Sequence, residues 1–265
     1  MPFRKLKGDE VFSCVAELID MAGSIEDDFI PETAARYCDC VPKMAEAAEL
    51  RGLSGNIWQS WIASLFVSCE TPFSLLHERR EKLDGTLRDL AVEDLDTIHE
   101  YFNYDLREVH GRLDVQAFSR FGDYEPLRIS APTFSRAAGE LVNALAASMR
   151  KAKDGLDLYK ILTKFYLEYG VGVYALYKAL RWDGRTKKVV PVTNTEDISL
   201  NDIIGYEDQK HQLVGNTLAF LAGRPANNVL LYGESGTGKS SSVKALLNEY
   251  APRGRVRLHR GGGAG

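Results

Sequence analysis

Eight consecutive residues, Gly233-Glu234-Ser235-Gly236-Thr237-Gly238-Lys239-Ser240, satisfy the spacing G-x-x-x-x-G-K-[ST] in full. The chemistry of that spacing is phosphate binding. Glycines let the main chain turn tightly and bring its N–H groups close to phosphate oxygens. Lys239 supplies a mobile positive charge for the β- and γ-phosphates, and the Ser240 hydroxyl a ligand for Mg²⁺. Glu234 and Ser235 complete the loop, Thr237 offers a backbone or hydroxyl contact, and Ser241 continues the polar run into the next element. The plain alternative is a solvated Gly/Ser turn that caps a helix.

The flanking residues argue against that alternative. Asn228 to Tyr232, "NVLLY", is a short apolar run rich in β-formers and predicts a buried strand before the loop. After the loop, Val243, Leu246, Leu247 and Tyr250 fall on one helical face. A helix N-terminus behind the loop adds the positive end of its dipole. About thirty residues upstream, Ile203-Ile204-Gly205 precedes a helix whose Leu213, Leu218 and Leu221 can pack on a sheet. Such a turn could lay Ile204 and Gly205 against an adenine ring.

The span from about Tyr166 to Arg255, with "YGVGVYALYKALRW", "DIIGYEDQK" and the loop, resembles a family of bacterial predicted AAA+ ATP-binding proteins known only as a domain of unknown function. The resemblance implies a helical N-terminal region, an ATPase core, ATP and magnesium as ligands, oligomerisation, and coupling of hydrolysis to remodelling of a partner. It implies no substrate. A full core of that type also needs an apolar strand ending in adjacent acids, a polar sensor and usually an arginine from a neighbour. Beyond Lys239 the acid present is Glu249, inside the predicted helix. "LAVEDLD" (Leu90 to Asp96) has suitable letters but sits in an amphipathic helical stretch. The tail carries Arg253, Arg255, Arg257 and Arg260; "RVRLH" reads as a further strand of the core, with a basic phosphate or nucleic-acid contact as the other reading. The expectation is a partial parallel-sheet core, cut short after the loop helix, that holds ATP and turns it over poorly.

The rest of the chain must position this loop. Residues 1–190 are expected to form a helical domain and 191–265 a partial P-loop domain of α/β type. "PETAARYCDCVPKMAEAAEL" and "NIWQSWIASLFVSCE" carry apolar residues at helical spacing. Leu90, Leu95, Ile98 and Phe102 suit one buried helical face, as do Leu158, Ile161, Leu162 and Phe165. Gly170 and Gly172 break that pattern before Val173, Leu176, Tyr177 and Leu180 resume it, which predicts a core helical hairpin; a tyrosine-rich ligand pocket is the alternative. After Trp182 a polar connector surrounds a β-prone run, Val189 to Val192.

Composition bounds the function classes. The chain has 265 residues, 26% of them charged, and a formal net charge of −4, which argues against a bulk nucleic-acid binder while leaving a local basic patch open. No run of 18 apolar residues appears, so no membrane span is expected, and the default location is cytoplasmic. Cys14, Cys38, Cys40 and Cys69 lack metal-ligand spacing and read as reduced, partly buried thiols, with Cys38 and Cys40 on different helical faces. The five histidines are scattered. Two other classes stay open: a non-enzymatic protein whose helical half binds a partner, and a different P-loop enzyme such as a small-molecule kinase.

Overall fold

A computed structural model of the chain describes residues 4–23, 30–79, 81, 84–109, 117–127, 136–177, 179–192, 198–250 and 258–260. The chain divides into two compact units, Met1–Leu176 and Tyr177–Gly265. The division falls ahead of the boundary expected near residue 190, because the connector folds into a β-hairpin that belongs to the second unit.

The first unit is helical: α1 (Arg4–Lys7), α2 (Glu10–Gly23), α3 (Ile30–Arg51), α4 (Ile57–Ser68), α5 (Pro72–Glu78), α6 (Thr86–Asn103), α7 (Ala117–Arg120), α8 (Arg136–Met149), α9 (Gly155–Tyr169) and α10 (Val173–Leu176). Its centre is α4. Residues from Ile57 through Phe66 and Val67 are buried on every side of this helix save Gln59, the pattern of a helix surrounded by others. It packs against α3, α6, α8 and α10. Asn56 starts it by accepting a hydrogen bond from the Gln59 N–H. Both of its tryptophans find partners for their indole N–H groups, Trp58 on the Tyr101 carbonyl at 2.7 Å and Trp61 on Asp9 Oδ1 at 2.9 Å. The Arg51 guanidinium lies 3.9 Å from the centre of the Trp61 ring and donates to Ser64 Oγ at 2.6 Å.

The predicted faces hold. Leu95, Ile98 and Phe102 of α6 are buried, with Leu90 half-buried, and Leu158, Leu162 and Phe165 of α9 are buried with Ile161 half-buried. The two helices meet at Gly155, where a Cβ would lie 2.4 Å from the Asp96 nitrogen and 2.6 Å from the Val92 carbonyl oxygen. "LAVEDLD" is therefore helix in the first unit, and Asp96 accepts the Gly155 N–H at 2.6 Å.

Two expectations of this unit are corrected. Cys14 of α2 and Cys40 of α3 form a disulfide, with Cα atoms 5.8 Å apart, where free thiols were expected. The pairing arises because α2 lies along α3 with both cysteines on the buried seam, while Cys38 faces outward. The helical hairpin expected after Gly170 is also not formed. The chain makes the single turn α10 and then enters a strand, since Ala179–Asp183 finds a partner in the β-prone run that follows.

The second unit opens with that hairpin, β1 (Ala179–Asp183) and β2 (Lys188–Pro191), paired antiparallel from Leu180↔Pro191 to Asp183↔Lys188. Asp183 closes the turn by accepting from the Arg185 N–H and the Thr186 hydroxyl. On its other edge β1 pairs in parallel with β3 (Leu258–Arg260), giving the order β2-β1-β3. Part of "RVRLH" is thus a strand, although its neighbour is β1. A 3₁₀ turn (Leu200–Asp202), α11 (Glu207–Leu221) and α12 (Lys239–Tyr250) complete the described elements. The strand expected at Asn228–Tyr232 is not formed among the described residues, and Leu230 and Tyr232 are 82% and 88% exposed. Nor does α11 pack as expected: it has no buried residue, and its Leu218 and Phe220 are exposed. No helix among the described residues is long and apolar enough to cross a membrane.

Candidate functional site

The loop of residues 233–238 leads directly into α12, whose first helical residue is Lys239. Leu246, Leu247 and Tyr250 of the predicted face are buried and Val243 is half-buried, with Ala245 buried beside them. Gly236 and Gly238 adopt φ of 83° and 77°, a region that residues with a Cβ enter only at a steric cost, so the loop shape depends on glycine at these places. The Thr237 hydroxyl donates to the Glu234 carbonyl at 2.9 Å and braces the turn. The Lys239 ammonium is folded onto the loop, 3.0 Å from the Gly233 carbonyl oxygen, 2.5 Å from that of Glu234 and 3.2 Å from Thr237 Oγ1. A cation held there by three neutral oxygens can exchange them for a stronger anionic partner.

Facing the loop is the segment Ile198–Tyr206. It is anchored on the last turns of α12, where the Asn248 amide donates to the Ile198 carbonyl at 3.0 Å and Glu249 accepts the Leu200 N–H at 2.9 Å. Ser199 and Asp202 cap the 3₁₀ turn reciprocally; Asp202 Oδ2 accepts the Ser199 N–H at 2.7 Å and its hydroxyl at 2.8 Å. Those bonds, the main-chain one first, hold the Asp202 carboxyl below its ordinary pKa. Ile203 is buried and reaches the loop, its Cγ2 lying 3.7 Å from where a Cβ on Gly238 would sit. Lys210 then closes the turn: its ammonium donates to the Ile203 carbonyl at 2.7 Å and pairs with Glu207 at 2.8 Å, and its main-chain N–H bonds the Tyr206 carbonyl.

Loop and segment enclose a cavity of about 400 Å³ lined by Ile198, Asp202, Ile203, Ile204 and Tyr206 on one side and by Gly236, Thr237, Gly238 and Ser241 on the other. Of the residues singled out from sequence, Ile204, Gly236, Thr237, Gly238 and Ser241 are brought together here. Gly205, Gly233, Glu234, Ser235, Lys239 and Ser240 are not among the lining residues, and Ser240 is exposed at the start of α12. Asp202, Tyr206 and Lys210 were missed. Their letters are ordinary, and their positions follow from a turn the sequence does not announce. One side carries Ile198, Ile203, Ile204 and Tyr206 with the Asp202 carboxyl among them, and the other carries two glycines and the small polar residues Thr237 and Ser241. That division suits a ligand that joins an apolar ring to an anion.

Among the described residues no group of three or more His, Cys, Asp or Glu could hold a metal ion. Glu249, the acid beyond Lys239, lies ten residues along α12 and so about 15 Å from the loop.

Compared with known proteins, residues 175–259 match the model of a family described as protein of unknown function (DUF815). The match covers the hairpin, the Ile203–Tyr206 turn and the phosphate-type loop, about a third of the chain, and its description states no activity. No curated protein and no solved structure matches the chain.

Proposed function

We propose that the second unit binds a nucleoside triphosphate with Mg²⁺, ATP being the ligand that the AAA+ resemblance implies. The observation that carries this reading is the facing of two different walls across one cavity: the glycine loop and Ser241 on one side, Ile203, Ile204 and Tyr206 on the other. Phosphates would lie against the loop amides and draw Lys239 off its own carbonyls. Ser240 would donate its hydroxyl to the magnesium, and the base would rest on Ile203, Ile204 and Tyr206. Turnover should be slow. The carboxylate that lines the cavity, Asp202, is already engaged by Ser199, and Glu249 by Leu200. Coupling to the remodelling of a partner protein, in a homo-oligomer, is the further role the resemblance suggests.

The test is a titration of the whole chain with a fluorescent ATP analogue and Mg²⁺, with Lys239→Ala alongside. Binding in the micromolar range is expected for the parent chain and none for the variant. Among the described residues Lys239 bonds to its own loop alone, so the melting of Lys239→Ala should stay within about 0.5 kcal/mol of the parent. Equal affinities in the two proteins would remove the loop from the account.

A second reading, a non-enzymatic protein that docks a partner on its helical half, is favoured by one observation. Between α8 and α9 lies a groove of about 290 Å³ lined by Leu141, Leu145, Ile161, Phe165 and Tyr169. Retention of partner capture by Lys239→Ala, and its loss on Leu141→Asp in a chain that melts as the parent does, would support that reading.

A further inference from the structure

We propose that Tyr206 is the stacking platform for the aromatic base, so that the site selects base-bearing nucleotides over inorganic polyphosphate; this rests on the nucleotide reading above. Within the stretch that carries the resemblance, attention falls on Ile204 and Gly205, and Tyr206 is given no role. The case starts from how badly tyrosine suits its local structure. It sits at the N-cap of α11 in the left-handed conformation, φ 57° and ψ 38°, directly after Gly205 at φ 81°. Glycine would take this conformation without strain, and tyrosine does not. Serine, threonine, aspartate or asparagine would cap the helix, whereas Tyr206 makes no side-chain cap bond.

The core does not explain the ring either. Tyr206 is 54% exposed, and among the described residues its ring packs on no other ring and its hydroxyl bonds to no one. It nevertheless lines the cavity opposite Gly236–Gly238. Its main chain is fixed, because Lys210 bonds the Tyr206 carbonyl at 2.9 Å and the Ile203 carbonyl at 2.7 Å. Beside it Ile204 is 92% exposed, so a flat apolar group entering the cavity would cover both. An aromatic face held on a rigid turn, next to a loop suited to phosphate, is the chemistry that recognises a nucleobase by stacking. Stacking is tolerant of base identity, so ATP and GTP should bind alike.

The experiment is calorimetry of the whole chain with Mg·ATP and with Mg·tripolyphosphate, for the parent, Tyr206→Phe and Tyr206→Gly. Glycine keeps the left-handed turn and removes the ring, so its variant should melt no lower than the parent. The expected result is a loss of ATP affinity of about ten- to a hundred-fold in Tyr206→Gly. Tripolyphosphate binding should be unchanged there, and Tyr206→Phe should behave as the parent. Unchanged ATP affinity in Tyr206→Gly overturns the proposal and leaves the loop reading standing. So does a parent chain that binds the two ligands equally. Equal loss of both ligands in Tyr206→Gly also overturns it, since the ring would then act through the fold. If the parent binds neither ligand, the nucleotide reading falls and this one with it.

Discussion

At the scale of single residues, the division of labour around the cavity follows from what each side chain bonds to. Lys210 is not among the residues lining the cavity, yet its side chain, only 14% exposed, ties the Ile203 carbonyl to the first turn of α11 through its ammonium. Lys210→Met keeps the aliphatic stem and removes the bond, so the turn should loosen at a cost of about 1 kcal/mol in stability. A fall in affinity is expected for Mg·ATP but not for Mg·tripolyphosphate, read by calorimetry. Equal affinities for ATP in the variant and the parent would show that the turn holds its shape without the lysine. The loop was legible in the sequence because its chemistry depends on residue types at fixed spacing, and Gly236, Gly238, Lys239 and Ser240 carry that spacing openly. Tyr206 and Lys210 were not. Their roles depend on a left-handed turn, and a tyrosine gives no sign that its backbone is about to enter one.

Among elements, helices with a buried stripe were read correctly and segments that satisfy two periods were not. Val173, Leu176, Tyr177 and Leu180 fit a helix, but Leu180 and its neighbours from Ala179 also fit a strand, and pairing with Lys188–Pro191 decides the matter. Two predictions belong here. Gly155→Ala should raise the helix propensity of α9 and still destabilise the protein by about 1–3 kcal/mol, because the new methyl would press on the main chain of α6 at Val92 and Asp96. Urea unfolding decides the sign, and a stabilised variant would mean the two helices can part without cost. The second concerns the cap of the 3₁₀ turn. The folded Asp202 carboxyl titrates below its ordinary value, so its stabilising contribution is complete above the unfolded value and is lost as pH falls through the folded one. The stability difference between the parent and Asp202→Asn should therefore be constant near neutrality and shrink below about pH 4. A difference that grows on acidification would contradict the assignment.

For the molecule as a whole, the sequence foretold a helical body followed by a change of character, and it placed that change too late because a hairpin was taken for a linker. It did not foretell the Cys14–Cys40 cross-link. Cysteines 26 residues apart share a seam only once α2 and α3 have packed, and spacing alone does not report that. Reduction, or Cys14→Ser with Cys40→Ser, should lower the stability of the helical unit by about 3 kcal/mol if closing the intervening loop is the main effect. Melting with and without reductant measures this, and coincident curves would mean that packing alone holds the seam. The uncovered run Val229–Tyr232 has a consequence of a different kind. Apolar, β-prone and in no strand among the described residues, it can template the addition of another chain. Leu230→Lys should therefore raise the concentration the protein tolerates before it precipitates, and an unchanged limit would show that this run recruits nothing.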